Sequence, residues 1–152
     1  MQIFKSDIRA VVSRYFELTR EMIHKGGPTI VGHLDKIKIQ NKFQPYFDEA
    51  EKWYREEVLK TIEVIRNSSA IVEVNTRGLY QNKSTTTYPS PWILEHVLQQ
   101  GIPIIISSDA HQQNDLLNLF PETASLLLSI GFKEIRILVD GEWQNRLLHS
   151  YF

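Results

Sequence analysis

Two short stretches supply the residue types from which a metal centre can be built. Asp109-Ala110-His111 sets a carboxylate and an imidazole two residues apart, so in an extended segment both point the same way. Oxygen and imidazole nitrogen together suit Zn, Mn or Fe. The plainer reading is an Asp that caps loop amides beside an incidental His. His33, in Gly32-His33-Leu34-Asp35, is either a third ligand or a structural histidine. Asp35 either orients His33 through a hydrogen bond or starts a turn. Glu73 and Asn75 lie in the apolar run Ala70–Asn75, on one face of it if it is a strand. A buried lone charge is costly, so Glu73 needs a partner: substrate, a ligand to orient, or a base such as Arg77. Arg77 can grip a phosphate through its planar donors, or be a solvated loop arginine.

The elements that must position these residues alternate along the chain. Ile8, Val11, Val12, Tyr15, Leu18, Met22 and Ile23 give residues 7–25 an amphipathic helical pattern, with Ser6 as a cap and Gly26-Gly27 as a stop. Thr29–Val31 reads as a short buried strand, followed by a polar loop over residues 36–44. Pro45 is expected to open a second helix that runs to about Arg66, with Tyr46, Ala50, Tyr54, Val58, Ile62 and Ile65 on its apolar side and Asp48, Glu49 and Glu51 near its positive end. The strand Ala70–Asn75 follows, then a polar loop from Arg77 to Tyr88. Ser90-Pro91 starts a third helix that Gly101 ends. Ile102–Ser107 is a third strand, a helix from Pro121 to about Ile130 is ended by Gly131, and Phe132–Val139 is a fourth strand.

Apolar strands alternating with amphipathic helices indicate an α/β fold, a parallel sheet of about four strands with covering helices. In such folds chemistry gathers at the C-terminal strand ends. His33, Glu73 with Asn75, and Asp109 with His111 all fall there. A closed β/α barrel takes roughly 250 residues, so this chain could form only part of one.

Composition narrows the function classes. The chain has 152 residues and a formal net charge of −1, which gives no field to draw it to nucleic acid or an anionic membrane. It has no cysteine, which excludes disulfides, thiolate metal sites and cysteine nucleophiles. The first residues, MQIFKSDIRAVVSRYF, lack the apolar run of a signal peptide, and the longest apolar run is too short to span a bilayer. A cytoplasmic location is the expectation. No glycine-rich phosphate loop or nucleophile elbow is present.

Several segments, taken in order, resemble the polymerase-and-histidinol-phosphatase (PHP) family, and its histidinol-phosphatase branch in particular. They are Gly32-His33-Leu34-Asp35, Val72-Glu73-Val74-Asn75-Thr76-Arg77-Gly78-Leu79, Tyr88-Pro89-Ser90, Ser108-Asp109-Ala110-His111 and the closing Gly141-Glu142-Trp143. The resemblance implies part of a distorted seven-stranded β/α barrel carrying up to three divalent metal ions at the strand ends. Those ions polarise a phosphate and activate water. On that match His33 corresponds to a late metal-binding histidine, and Asp109 and His111 to a final ligand pair. Glu73 and Asn75 fall in a segment near the site without being carried over as ligands. The family's His-x-His motif is absent from this sequence. A remnant of three ligands should hold Zn, Mn or Fe weakly, or not at all.

Two functions follow. One is a metal-dependent phosphoesterase of the histidinol-phosphatase kind, hydrolysing a small phosphomonoester with the N-terminal half of the barrel supplied separately. The other is a catalytically silent remnant that serves as an oligomeric or interaction module, since part of a barrel exposes strand edges that call for a homo-oligomeric or other partner.

Overall fold

The computed structural model describes residues 7–42 and 45–150. Helix α1 spans Ile8–Gly26. Asp7 caps it by accepting a bond from the Ala10 amide, and Gly27 ends it in a left-handed conformation at φ 50°. Ser6, the expected cap, lies outside the described residues, as do residues 43 and 44 of the expected polar loop. Strand β1 is only Ile30–Val31, and a 3-10 turn over Lys36–Asn41 follows it.

Helix α2 spans Lys52–Arg66 and starts later than the sequence suggests. Between Pro45 and Glu51 most of the backbone bonds run to side chains, beside one turn bond from the Glu51 amide to the Asp48 carbonyl. Asn41 accepts from the Tyr46 amide and donates to the Phe47 carbonyl, Asp48 accepts from the Ala50 amide, and Glu51 accepts from the Asp48 amide. Short polar side chains that compete for backbone groups in this way favour turns over helix. The expected start at Pro45 is therefore wrong, and Tyr46 and Ala50 lie outside the helix.

Strand β2 is Ile71–Asn75 and leads into a single helical turn, α3, over Arg77–Tyr80, where the sequence suggests loop. Helix α4 is Pro91–Gln99, with Pro91 in its first turn. Strand β3 is Ile104–Ser107, and helix α5 is Phe120–Ile130, ended by Gly131 at φ 116°.

Strands β1, β2 and β3 form one parallel sheet in that order, with Val31 beside Val72, Val72 beside Ile104 and Asn75 beside Ser107. The expected fourth parallel strand is not part of it. Residues Glu134–Val139 form β4, which pairs antiparallel with β5, Glu142–Leu147, in a separate two-stranded sheet. The reason is local. Asp140 (φ 50°) and Gly141 (φ 83°) form the two-residue loop, and a pair of positive φ angles turns the chain straight back on itself. Three parallel strands among the described residues make a mixed α/β fold and leave the sheet open.

The register sorts the sheet into two faces. Val72, Val74, Ile104 and Ile106 point into the core with Val31, where Phe16, Tyr54, Val58, Ile62, Ile93, Leu94 and Leu127 from the helices cover them. Glu73, Ile105 and Ser107 point to the other side and are only half-buried. Among the described residues no helix is long and apolar enough to cross a membrane.

One charged pair lies within this packing. Asp35 is 0% exposed and Lys38 is 6% exposed, with Nζ 2.8 Å from Asp35 Oδ2. Lys38 also donates to Thr86 Oγ1 at 2.9 Å, the Thr87 carbonyl at 2.8 Å and Ser90 Oγ at 2.5 Å. The Ser90 amide donates to Asp35 Oδ2, and the Ser90 hydroxyl donates a hydrogen bond to Glu49 Oε2. Ser90 thus holds the start of α4 through these bonds and not as a side-chain cap. Burial pushes the Asp35 carboxyl up from its ordinary value, and Lys38 opposes the shift.

Removing one partner of a buried pair strands the other. Lys38→Met should cost about 3–5 kcal/mol at neutral pH, read by chemical denaturation. A raised carboxyl pKa means the folded state keeps a proton that the unfolded state has lost, so this group's contribution falls as pH rises through that window. The deficit of the variant should therefore shrink in acid, where Asp35 is neutral in both states.

Candidate functional site

The C-terminal ends of the three parallel strands meet at a cleft of about 300 Å³, lined by His33, Lys36, Ile39, Asn75, Arg77, Gly78, Lys83, Tyr88, Asp109 and His111. Strand β1 delivers His33, β2 delivers Asn75 and the following Arg77, and β3 delivers Asp109 and His111. The sequence-derived set therefore converges, with Asp35 and Glu73 as the members that do not line the cleft.

A chain of bonds ties these residues together from behind. Glu73 Oε2 accepts from the His33 amide at 2.7 Å and from Asn75 Nδ2 at 3.3 Å. Asn75 Oδ1 in turn accepts from the Arg77 amide at 2.9 Å. The partner that Glu73 requires is thus the backbone of the neighbouring strand end, and Arg77 is not its ion-pair mate. Gly32 permits this approach, since a Cβ there would lie 3.3 Å from Glu73 Oε2. Asp35 is spent on Lys38 and Ser90, so it does not orient His33, and the turn reading of that residue fits better.

Two of the predicted ligands have unusual backbones: His33 has φ 31° and Asp109 has φ 47°. Non-glycine residues in this region are held there by their surroundings. For His33 the hold is the Glu73 bond, with Tyr15 Oη donating to the adjacent Leu34 carbonyl at 3.1 Å. For Asp109 it is the Ser107 hydroxyl accepting from its amide at 3.1 Å, with Tyr80 Oη on the Ser108 carbonyl at 2.9 Å. His33 Nδ1 is buried and has no hydrogen-bond partner.

Arg77 dominates the other wall. Its Nη1 donates to the Asp109 carbonyl at 2.7 Å, lies 3.4 Å from Asp109 Oδ1 and contacts both ring nitrogens of His111, Nε2 at 2.9 Å. His111 Nδ1 also lies 2.9 Å from the Asp109 carbonyl. A tautomer with Nδ1–H directed at that carbonyl leaves Nε2 to accept from the guanidinium. Arg77 is thus anchored to the expected ligand pair, not to solvent.

This bears on the expected divalent ion. The unpartnered His33 nitrogen and the imidazole-carboxylate donor set favour one. Arg77 opposes it, because a guanidinium already occupies the Asp109–His111 pair and would repel a second cation. Among the described residues no three His, Asp or Glu side chains cluster closely enough to hold a metal. In this arrangement the residues do not fit a metal centre.

Lys36, Lys83 and Tyr88 also line the cleft and were not singled out from sequence. Lys36 comes five residues after the end of β1, where Arg77 comes two after the end of β2, and the sequence carries no signal that singles it out. Lys83 sits in a stretch that reads only as a polar loop, and Tyr88 opens the Tyr88-Pro89-Ser90 segment that carries the family resemblance without being named as a site residue. Tyr88 packs against Gly78, where a Cβ would come within 2.6 Å of its ring, and Asn75 and Tyr88 exchange both backbone bonds.

No family model matches the chain. It is 22% identical over 129 residues to a protein of Deinococcus radiodurans named a probable histidinol-phosphatase, covering 85% of this chain and 46% of that protein. It is 29% identical over 89 residues to the histidinol-phosphatase of Bacillus subtilis, covering 59% of this chain and 32% of that one. A Listeria monocytogenes crystal structure, of a protein described as a candidate histidinol phosphatase, superposes with a TM-score of 0.63 at 22% identity, over 71% of this chain and 42% of that one. The resemblance to histidinol-phosphatases read from the motifs therefore holds, and the partial coverage fits a C-terminal portion. The chain spans less than half the length of the curated relatives it matches.

Glu73→Ala should free the β1 end. The His33 amide should exchange with solvent faster, and stability should fall by about 1.5 kcal/mol, the lower end for a bond to a charged group. Glu73→Gln keeps an acceptor and should retain most of both, as hydrogen exchange and denaturation of the two variants would read out.

Proposed function

We propose that this chain forms the phosphate-binding part of a phosphomonoesterase site of the histidinol-phosphatase kind, with histidinol phosphate the leading substrate. The observation that carries the reading is the convergence of His33, Asn75, Arg77, Asp109 and His111, with Lys36 and Lys83, on one cleft at the ends of three parallel strands. A phosphate carries close to two negative charges at neutral pH, and clustered Arg and Lys donors recognise it. The similarity to proteins named histidinol-phosphatases supports the same direction.

The reaction class is hydrolysis: water attacks phosphorus, and the ester oxygen leaves with the alcohol. In this chain Arg77, Lys36 and Lys83 would bind and orient the phosphate, and His33 and His111 would stand beside it. A divalent metal centre of Zn, Mn or Fe, if the reaction uses one, needs ligands from outside the described residues. A PHP-type barrel, completed by a further polypeptide or a second copy of the chain, is the setting in which they would be supplied.

The second reading is a catalytically silent binding module. The observation that favours it is Arg77 on the Asp109–His111 pair.

Titration of the purified chain with histidinol phosphate and with histidinol tests the site. The phosphate ester should bind about tenfold or more tightly than the alcohol, and equal affinities would end the proposal. Release of inorganic phosphate in the presence of Mn or Zn, lost in Asp109→Asn, would decide for the enzyme. Binding without release decides for the silent module, which is the expected outcome for this chain alone.

A further inference from the structure

We propose that Arg77 is the resident cation of the cleft, standing on Asp109 and His111 where a divalent ion would otherwise sit, and that the cleft therefore binds phosphate without metal. The inference rests on the phosphate-site reading above and adds how the anion is held.

The argument begins with which atoms of Arg77 are engaged. Every bond it makes to Asp109 and His111 falls on Nη1. Nε and Nη2 have no partner among the described residues. A guanidinium presents two donor edges, and the Nε–Nη2 edge is one that matches two oxygens of a phosphate. Asp109 and His111 thus serve as the socket that fixes the fork, and the opposite edge is left for an anion. Arg77 is 19% exposed in its side chain, so the fork is shielded yet reachable.

Charge supports the same conclusion. The lining holds three fixed cations, Lys36, Arg77 and Lys83, against one carboxylate, Asp109. The other nearby carboxylate, Glu73, is turned into the His33 amide and the Asn75 side chain. The surplus is close to what a phosphate monoester dianion neutralises. A divalent ion would instead enter a cleft already cationic and would have to displace the guanidinium from both of its anchors. His33 Nδ1, buried and unpartnered, gains a bond if a ligand reaches it, and a monoprotonated phosphate can supply either a donor or an acceptor.

The chain, dialysed against a chelator, is titrated with inorganic phosphate, and separately with Mn²⁺ and with Zn²⁺ alone, by calorimetry. Phosphate should bind equally with and without chelator, and both metals should bind weakly. Arg77→Ala should weaken phosphate about tenfold or more and tighten Mn²⁺ or Zn²⁺ by a similar factor, because it vacates Asp109 and His111. Arg77→Lys, which keeps the charge but not the fork, guards against a folding defect: it should lose phosphate affinity while still excluding metal. Lys83→Ala should weaken phosphate and tighten metal far less than Arg77→Ala does, because Arg77 still stands on Asp109 and His111. Phosphate binding only when metal is added, or metal binding as tight in the parent as in Arg77→Ala, overturns the inference while leaving a phosphate site in place. Failure to bind phosphate under either condition removes the phosphate site itself.

Discussion

The buried pair of Asp35 and Lys38 is the constraint on which the cleft depends. It lies behind the site, with the Lys38 ammonium 5.1 Å from the centroid of the Tyr88 ring, and it joins two of the cleft's walls. Lys36 and Ile39 flank Lys38 on the 3-10 turn, and Tyr88 sits between Thr87 and the Ser90 that Lys38 grips. Burying two charges is costly, and their attraction offsets the cost only when the remaining donors and acceptors are filled. Here nearly all are: the ammonium meets a carboxylate, two hydroxyls and a carbonyl, and one Asp35 oxygen also takes the Ser90 amide. The other oxygen, Oδ1, has no partner, which is consistent with the upward push on this carboxyl. Such an arrangement adds little net stability but tolerates few alternative geometries, which is what a site assembled from separate loops requires.

The parts legible in the sequence were those governed by short-range rules. The stop signal of α1 and the Ser90-Pro91 start of α4 are local, and so is the run of apolar residues that makes β2. The convergence of His33, Asn75 and Asp109 followed from one further rule, that parallel strands share a functional edge. The Asp140-Gly141 dipeptide is equally readable and points to a hairpin, but an apolar run after a helix reads just as well as another parallel strand. The late start of α2 was harder. It depends on Asn41, Asp48 and Glu51 capturing backbone groups, and acidic residues near a helix start read the same way whether they sit inside it or before it.

A phosphate-gripping Arg77 was one of two readings open in the sequence, but its seat on Asp109 and His111 was not legible. Sequence places it two residues after Asn75 and leaves its direction open. Only the fold brings the β3 loop across so that Asp109 and His111 face it. Two expectations then change together: the arginine is not a solvated loop residue, and two of the three groups expected to bind a metal, Asp109 and His111, contact its guanidinium. A single side chain thus separates the identity of a ligand set from its occupancy, which no motif match can do.

The brevity of β1 has a consequence for how the molecule behaves in company. An outer strand with a long run of unpaired amides is a template onto which another chain can add itself. Ile30 and Val31 give an intruder only a two-residue ladder before Gly32 and the His33 turn carry the backbone away. At the far side the Asp140 hairpin crowds β3 with a ribbon whose own hydrogen bonds are already matched to each other. An open three-stranded sheet is thereby spared the fibrous, end-on-end growth that long unpaired strand edges would otherwise invite.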